Sequence, residues 1–93
     1  MQGNLSTYNR GSTKYCEGMT FISKPVNSVR VEIAGKKTST GEHIFTTRNQ
    51  HRNNTSVGDT LRLNGYTGTR VTFFGTHEIV HTNGYHAYTS TIY

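Results

Sequence analysis

The sequence predicts an all-β protein, a small antiparallel β-barrel or sandwich of about six to seven short strands. Three observations predict it. Apolar residues alternate with polar ones in short runs, the period of a strand whose side chains point to opposite faces. No window repeats apolar residues at i, i+3, i+4 and i+7 for three turns, and threonine, 16 of 93 residues, is a poor helix former. Turn-forming clusters recur at roughly ten-residue spacing, which suits short strands joined by tight connections.

Taken in chain order, Met1 to about Gly18 is rich in Gly, Ser, Thr and Asn without a hydrophobic period, and reads as a flexible or irregular arm, residues 1–18. Residues 19–93 then form a single β domain. Met19–Ser23 is a candidate strand, and Pro25, unable to donate to a central ladder, separates it from the next. In Val29-Arg30-Val31-Glu32-Ile33 the aliphatic residues share one face and the charged ones the other. Lys36–Gly41 is a turn, and Ile44–Arg48, β-branched and aromatic, is a strand. Asn49–Ser56 has no apolar residue and reads as a surface loop, and Val57-Gly58-Asp59 as a turn. In Thr60–Leu63 the leucines face inward and Arg62 outward, and Asn64–Gly68 turns the chain. Val71 and Phe73 repeat the alternation, and Ile79–Thr82 and Tyr85–Tyr93 form a C-terminal hairpin about Asn83-Gly84, the strongest short hairpin signal in the chain.

Composition bounds the function. Only 31% of the residues are hydrophobic, so the core is small. The longest apolar runs are two or three residues, such as Phe73-Phe74, which excludes a transmembrane helix, and Met1–Arg10 lacks the apolar stretch of a signal peptide. One cysteine, Cys16, cannot form an internal disulfide; together these features point to the cytoplasm. Ten Lys and Arg against five Asp and Glu give a net charge of +5. That balance favours a polyanionic partner, a nucleic acid or an acidic protein surface.

A two-residue turn at Asn83-Gly84 would place Thr82 opposite Tyr85, His81 opposite His86, Val80 opposite Ala87 and Ile79 opposite Tyr88. His77, His81 and His86 would then share a face. A metal site is not expected, because His77 would lie about 13 Å along the strand from His81 and no carboxylate or thiolate joins the pair. A nucleic-acid face fits better: His and Tyr rings on a sheet stack on bases while Arg and Lys hold phosphates. The candidate contact residues are Arg48, Arg52, Arg62, Arg70, Tyr66, His81, His86 and Tyr88, with Tyr85 and Tyr93 as further aromatics. No cofactor is expected.

The stretch Ala34-Gly35-Lys36-Lys37-Thr38-Ser39-Thr40, then Arg48, then Ser56-Val57-Gly58-Asp59-Thr60-Leu61-Arg62-Leu63 and Val71 resembles the ASCH families of the PUA-like superfamily over about residues 34–73. The resemblance implies a small β-barrel, recognition of RNA or modified nucleosides and, in some members, amidohydrolase activity, with Lys37 as activating amine and Thr40 as hydroxyl. The chain departs from that pattern by about five extra residues around Gly41–Phe45, by a strand where the family has a helix, and by lacking a clear acidic partner. The first expectation is therefore a basic protein binding RNA or single-stranded nucleic acid. The alternatives are a phage-type inhibitor or accessory module that docks on a larger protein, through an unpaired edge strand and with a homodimer as a further option, and an ASCH-like amidohydrolase or small nuclease.

Overall fold

The computed structural model describes residues 1–81, 83–84 and 86–93. Among them are five long antiparallel strands and no helix: β1 (Gln2–Arg10), β2 (Thr13–Lys37), β3 (His43–Asn64), β4 (Val71–Val80) and β5 (His86–Ile92). The all-β class holds, but the strands are fewer and longer than the local alternation suggested. β2 alone runs 25 residues and β3 runs 22.

Pro25 explains part of the difference. It lies inside β2, where the ladder to β3 lapses between Phe21↔Ser56 and Val26↔Asn54. With no partner to serve there, its missing N–H costs nothing and the strand bends instead of ending. Residues 49–56, expected as a loop, belong to β3, because pairing with β2 satisfies their backbone groups without apolar side chains. Asn53, at φ 51°, marks the matching bend in β3, and asparagine tolerates that left-handed conformation. Val57-Gly58-Asp59 is likewise mid-strand, opposite Thr20, Met19 and Gly18, with Val57 buried. The expected turns at residues 36–41 and 64–68 are present, with Gly41 and Gly65 at φ 75° and 81°.

The two bends curl one sheet into a half-barrel. On one side of them β2 carries β1 and the C-terminal half of β3; on the other it lies between the N-terminal half of β3 and β4, with β5 beyond β4. The concave interior holds Cys16, Val26, Val29, Val31, Ile33, Val57, Leu61, Leu63, Phe73 and Ile79, all buried. Val29, Val31 and Ile33 face in as the alternation predicts, and so do Leu61 and Leu63.

The N-terminal arm is the largest correction. Gln2–Arg10 pairs with β2 along its length, from Gln2↔Phe21 to Arg10↔Thr13. Its alternation is visible only as Gly3, Leu5 and Thr7 half-buried between exposed neighbours. Gly3 lies on the imidazole of His77: a Cβ there would come 2.2 Å from Cγ of that ring. A glycine that looks like a disordering residue in the sequence is thus a close-packing residue.

The C-terminal hairpin is displaced by one residue from the expected register. Val80 lies opposite His86, Ile79 opposite Ala87 and Glu78 opposite Tyr88. His81 therefore does not oppose His86. The expected Thr82–Tyr85 pair, and Tyr85 itself, lie outside the described residues. A shift of one moves each side chain to the other face: His77 and Ile79 are buried, while His86 and Tyr88 stand outside beside Glu78.

Candidate functional site

The convex face of β3, β2, β4 and β5 collects the polar chemistry. Read in that strand order, register aligns Arg52, Ser28, Val80 and His86 in one row. The next row is Gln50, Arg30, Glu78 and Tyr88, and the one after it Arg48, Glu32, Thr76 and Ser90. Neighbouring strands are about 4.8 Å apart, so each row is a continuous line of side chains across the sheet.

Glu78 is the hub. Its carboxylate accepts from Arg30 Nη1 at 2.7 Å and lies 3.3 Å from Nδ1 of His86, and the Tyr88 hydroxyl also donates to it. Only 12% of the Glu78 side chain is exposed. Burial pushes its pKa up, but the hydrogen bonds from Tyr88, Arg30 and His86 and the Arg30 charge outweigh that, and the carboxyl titrates below its ordinary range. The Tyr88 hydroxyl is raised, first by its bond to Glu78. Arg30 also donates from Nε to Gln50 Oε1 at 3.0 Å, so its guanidinium is fixed from two sides. Arg48 lies 3.4 Å from Glu32, both well exposed. No carboxylate among the described residues pairs with Arg52.

Two hollows lie between these side chains. One hollow is lined by Arg30, Glu32, Arg48, Gln50, Thr76 and Glu78. A second is lined by Asn27, Ser28, Arg30, Gln50, Arg52 and Asn53. Ser28, 6% exposed, lies at the second, and its Oγ has no hydrogen-bond partner among the described residues. A buried hydroxyl without a partner is uncommon.

Of the residues singled out from the sequence, Arg48, Arg52, His86 and Tyr88 come together on this face. Arg62 does not. It projects from the other part of the sheet, 6.0 Å from the Tyr15 ring, which in turn stacks on Tyr8 at 4.8 Å. Tyr66 is half-buried against the core, and Arg70 is exposed in the connection before β4, its carbonyl accepting from Thr38. His81 follows β4, and its carbonyl accepts from Gly84. Tyr93 ends the chain, its backbone paired with Phe73. Lys37 and Thr40 occupy the β2–β3 hairpin. There the Lys37 ammonium lies 3.5 Å from Glu42, and Thr40 Oγ1 accepts from the Glu42 N–H. Neither borders the two hollows.

Comparison with family models, with curated proteins and with solved structures found no match.

Sequence reasoning missed Arg30, Glu78, Gln50 and Ser28. Arg30 was assigned to an outward face, but nothing local indicates that Glu78, 48 residues away, opposes it. Two other chemically active side chains turn inward. His77 is fully buried, its Nδ1 2.7 Å from Thr20 Oγ1 and its Nε2 2.9 Å from Thr91 Oγ1, and burial lowers its pKa. Cys16 is also buried, its thiol pushed up to about 12, which keeps it protonated and unreactive.

Proposed function

We propose that the protein binds single-stranded nucleic acid across the convex face of β3, β2, β4 and β5. The observation that carries this reading is the strand register, which sets Arg48 and Arg52 on β3, Arg30 on β2 and His86 and Tyr88 on β5 along the same rows of one open face. Arginine guanidinium groups hold phosphates, and exposed rings accept stacked bases. Asn53 adds an amide to the Arg52 hollow. Three arginines (Arg30, Arg48, Arg52) against two carboxylates (Glu32, Glu78) make these rows net positive, in keeping with the chain's +5. The open sheet suits an unpaired strand whose bases turn toward the protein.

The test is titration of labelled RNA and DNA octamers by fluorescence anisotropy at 50 and 200 mM salt. Three phosphate contacts give a slope of about −2 in log K against log salt, so the affinity falls roughly twenty-fold between those concentrations. The Arg48→Ala, Arg52→Ala double variant makes that slope shallower, whereas Arg62→Ala, on another face, leaves it unchanged. Absent or salt-independent binding of both octamers refutes the proposal, as does a larger effect from Arg62→Ala.

A further inference from the structure

The sheet protects its free margins unequally. An unpaired strand presents a row of N–H and C=O groups on which another strand can build, and chains block this with charged side chains, proline or bulges. The β3 margin carries Arg48 and Arg52 and a bend at Asn53, and β1 ends on Arg10. β5, which pairs with β4 alone among the described residues, reads His-Ala-Tyr-Thr-Ser-Thr-Ile. It has no Lys, Arg, Asp or Glu, no proline and no glycine, and its Tyr, Thr and Ile favour extended backbone. Large apolar side chains also stand exposed along it, Tyr88 at 65% and Ile92 at 70%.

The hydrogen-bond phase of β5 shows which groups face outward. Just beyond the strand, Phe73 and Tyr93 exchange both backbone bonds: the Phe73 N–H donates to the Tyr93 carbonyl at 3.1 Å, and the Tyr93 N–H to the Phe73 carbonyl at 3.0 Å. Such pairs alternate with non-hydrogen-bonded ones along an antiparallel ladder. Thr91, Thr89 and Ala87, opposite Gly75, His77 and Ile79, therefore bond to β4 in the same way. His86, Tyr88, Ser90 and Ile92 turn their N–H and C=O groups away from β4, toward the open margin.

We infer that β5 pairs antiparallel with β5 of a second copy of the chain. The inference is independent of the nucleic-acid reading above. One symmetric register uses all four outward residues. A two-fold axis at Thr89 sets Ile92 opposite the second copy's His86 and Ser90 opposite its Tyr88, closing about eight backbone hydrogen bonds. No charged residue of β5 meets its like, Ile92 is covered, and the small Ser90 leaves room for the Tyr88 ring. Thr89 meets Thr89, a favourable cross-strand pair. Each copy carries +5, and the arrangement keeps those charges apart. The joined order β3–β2–β4–β5–β5–β4–β2–β3 sets the two β3 strands, with Arg48 and Arg52, about 34 Å apart along the sheet, well beyond the roughly 10 Å screening length of 0.1 M salt.

The experiment is sedimentation equilibrium of the full chain from about 5 to 500 μM. A single strand pairing buries less than a standard interface, so the weight-average mass rises from one chain toward two across that range. Ser90→Pro removes a donor that faces the margin and leaves the bonds to β4 in place; it weakens association by roughly ten-fold or more while the thermal melt stays close to the wild type. A second pair of variants reads the register directly. Across the axis the Thr89 Cα atoms lie about 4.5 Å apart, within disulfide range, whereas the two Ser90 positions are diagonal, about 7–8 Å apart, and beyond it. Under mild oxidation Thr89→Cys forms a covalent dimer and Ser90→Cys does not, the native Cys16 being buried. A chain that stays monomeric over the whole range overturns the inference, as does a Ser90→Pro protein that associates like the wild type. Equal cross-linking of the two cysteine variants overturns it as well.

Discussion

Replacing Gly3 by alanine tests the packing of β1 on the half-barrel. The new methyl would lie 2.2 Å from Cγ and 2.3 Å from Cδ2 of His77. Ordinary carbon contact is about 3.5 Å, so the ring or the strand must retreat by about 1.3 Å. The ring has little room to move, because both its nitrogens are engaged, to Thr20 at 2.7 Å and Thr91 at 2.9 Å. Overpacking of this kind costs roughly 1–3 kcal/mol, and each weakened buried hydrogen bond about 1 kcal/mol more. Reduced freedom of the unfolded chain returns about 0.4–1 kcal/mol. The net cost is about 3 kcal/mol, and a domain of this size loses about 4–8 °C in Tm per kcal/mol. Thermal unfolding followed by circular dichroism should therefore show Tm lower by roughly 12–24 °C. Gly68→Ala is the control: open space surrounds that glycine, and its Tm should stay close to that of the wild type. A Gly3→Ala protein as stable as the wild type would mean that β1 does not lie on His77.

Two further predictions follow from buried polar groups. Burial lowers the folded-state pKa of His77 below its ordinary 6.5, and its neighbours from β1, β2 and β5 are Gly3, Thr20 and Thr91, none of them ionisable. The unfolded chain then binds the proton more readily, so this contribution is complete above pH 6.5 and declines as pH falls below it. Melts between pH 7.5 and 5 should show a falling Tm that is largely absent in His77→Gln; equal slopes would contradict the reasoning. Glu78, whose carboxyl is depressed, adds its own loss only below 4.5. Ser28→Ala removes a hydroxyl without a partner among the described residues and leaves the protein as stable or up to about 1 kcal/mol more stable. A denaturant midpoint lower than that of the wild type would show that the hydroxyl does have a partner in the folded chain.

Local alternation made much of the fold legible. Val29, Val31 and Ile33, and Leu61 and Leu63, announce their inward face because each pair is two residues apart, and no long-range knowledge is needed to read that. Pro25 and the Asn49–Ser56 run misled because a breaker and a polar stretch signal an end only if the ladder needs those residues to donate or to bury. Here the bends fall at those places, and β2 and β3 continue through them. Gly3 misled for a related reason, since a close approach to a ring 74 residues away has no local signature. The site was half legible. Arg48 and Arg52 lie two residues apart with the spacing of one face, and His86 and Tyr88 share that pattern. Bringing the two pairs together required the order β3–β2–β4–β5, and placing Glu78 under the rings required a hairpin register that Asn83-Gly84 suggested one residue out.

One feature of β3 bears on how the chain behaves at high concentration. Among the described residues β3 pairs with β2 alone, which leaves a margin 22 residues long. At the bend, Asn49 Nδ2 donates to the Gly58 carbonyl at 2.9 Å, and His51 Nδ1 lies 3.1 Å from the Ser56 carbonyl. These side chains occupy acceptors that an incoming strand would otherwise use, and Arg48 and Arg52 on either side repel a second copy laid antiparallel. The middle of the β3 margin is thereby shielded from strand addition by the chain's own amide and imidazole.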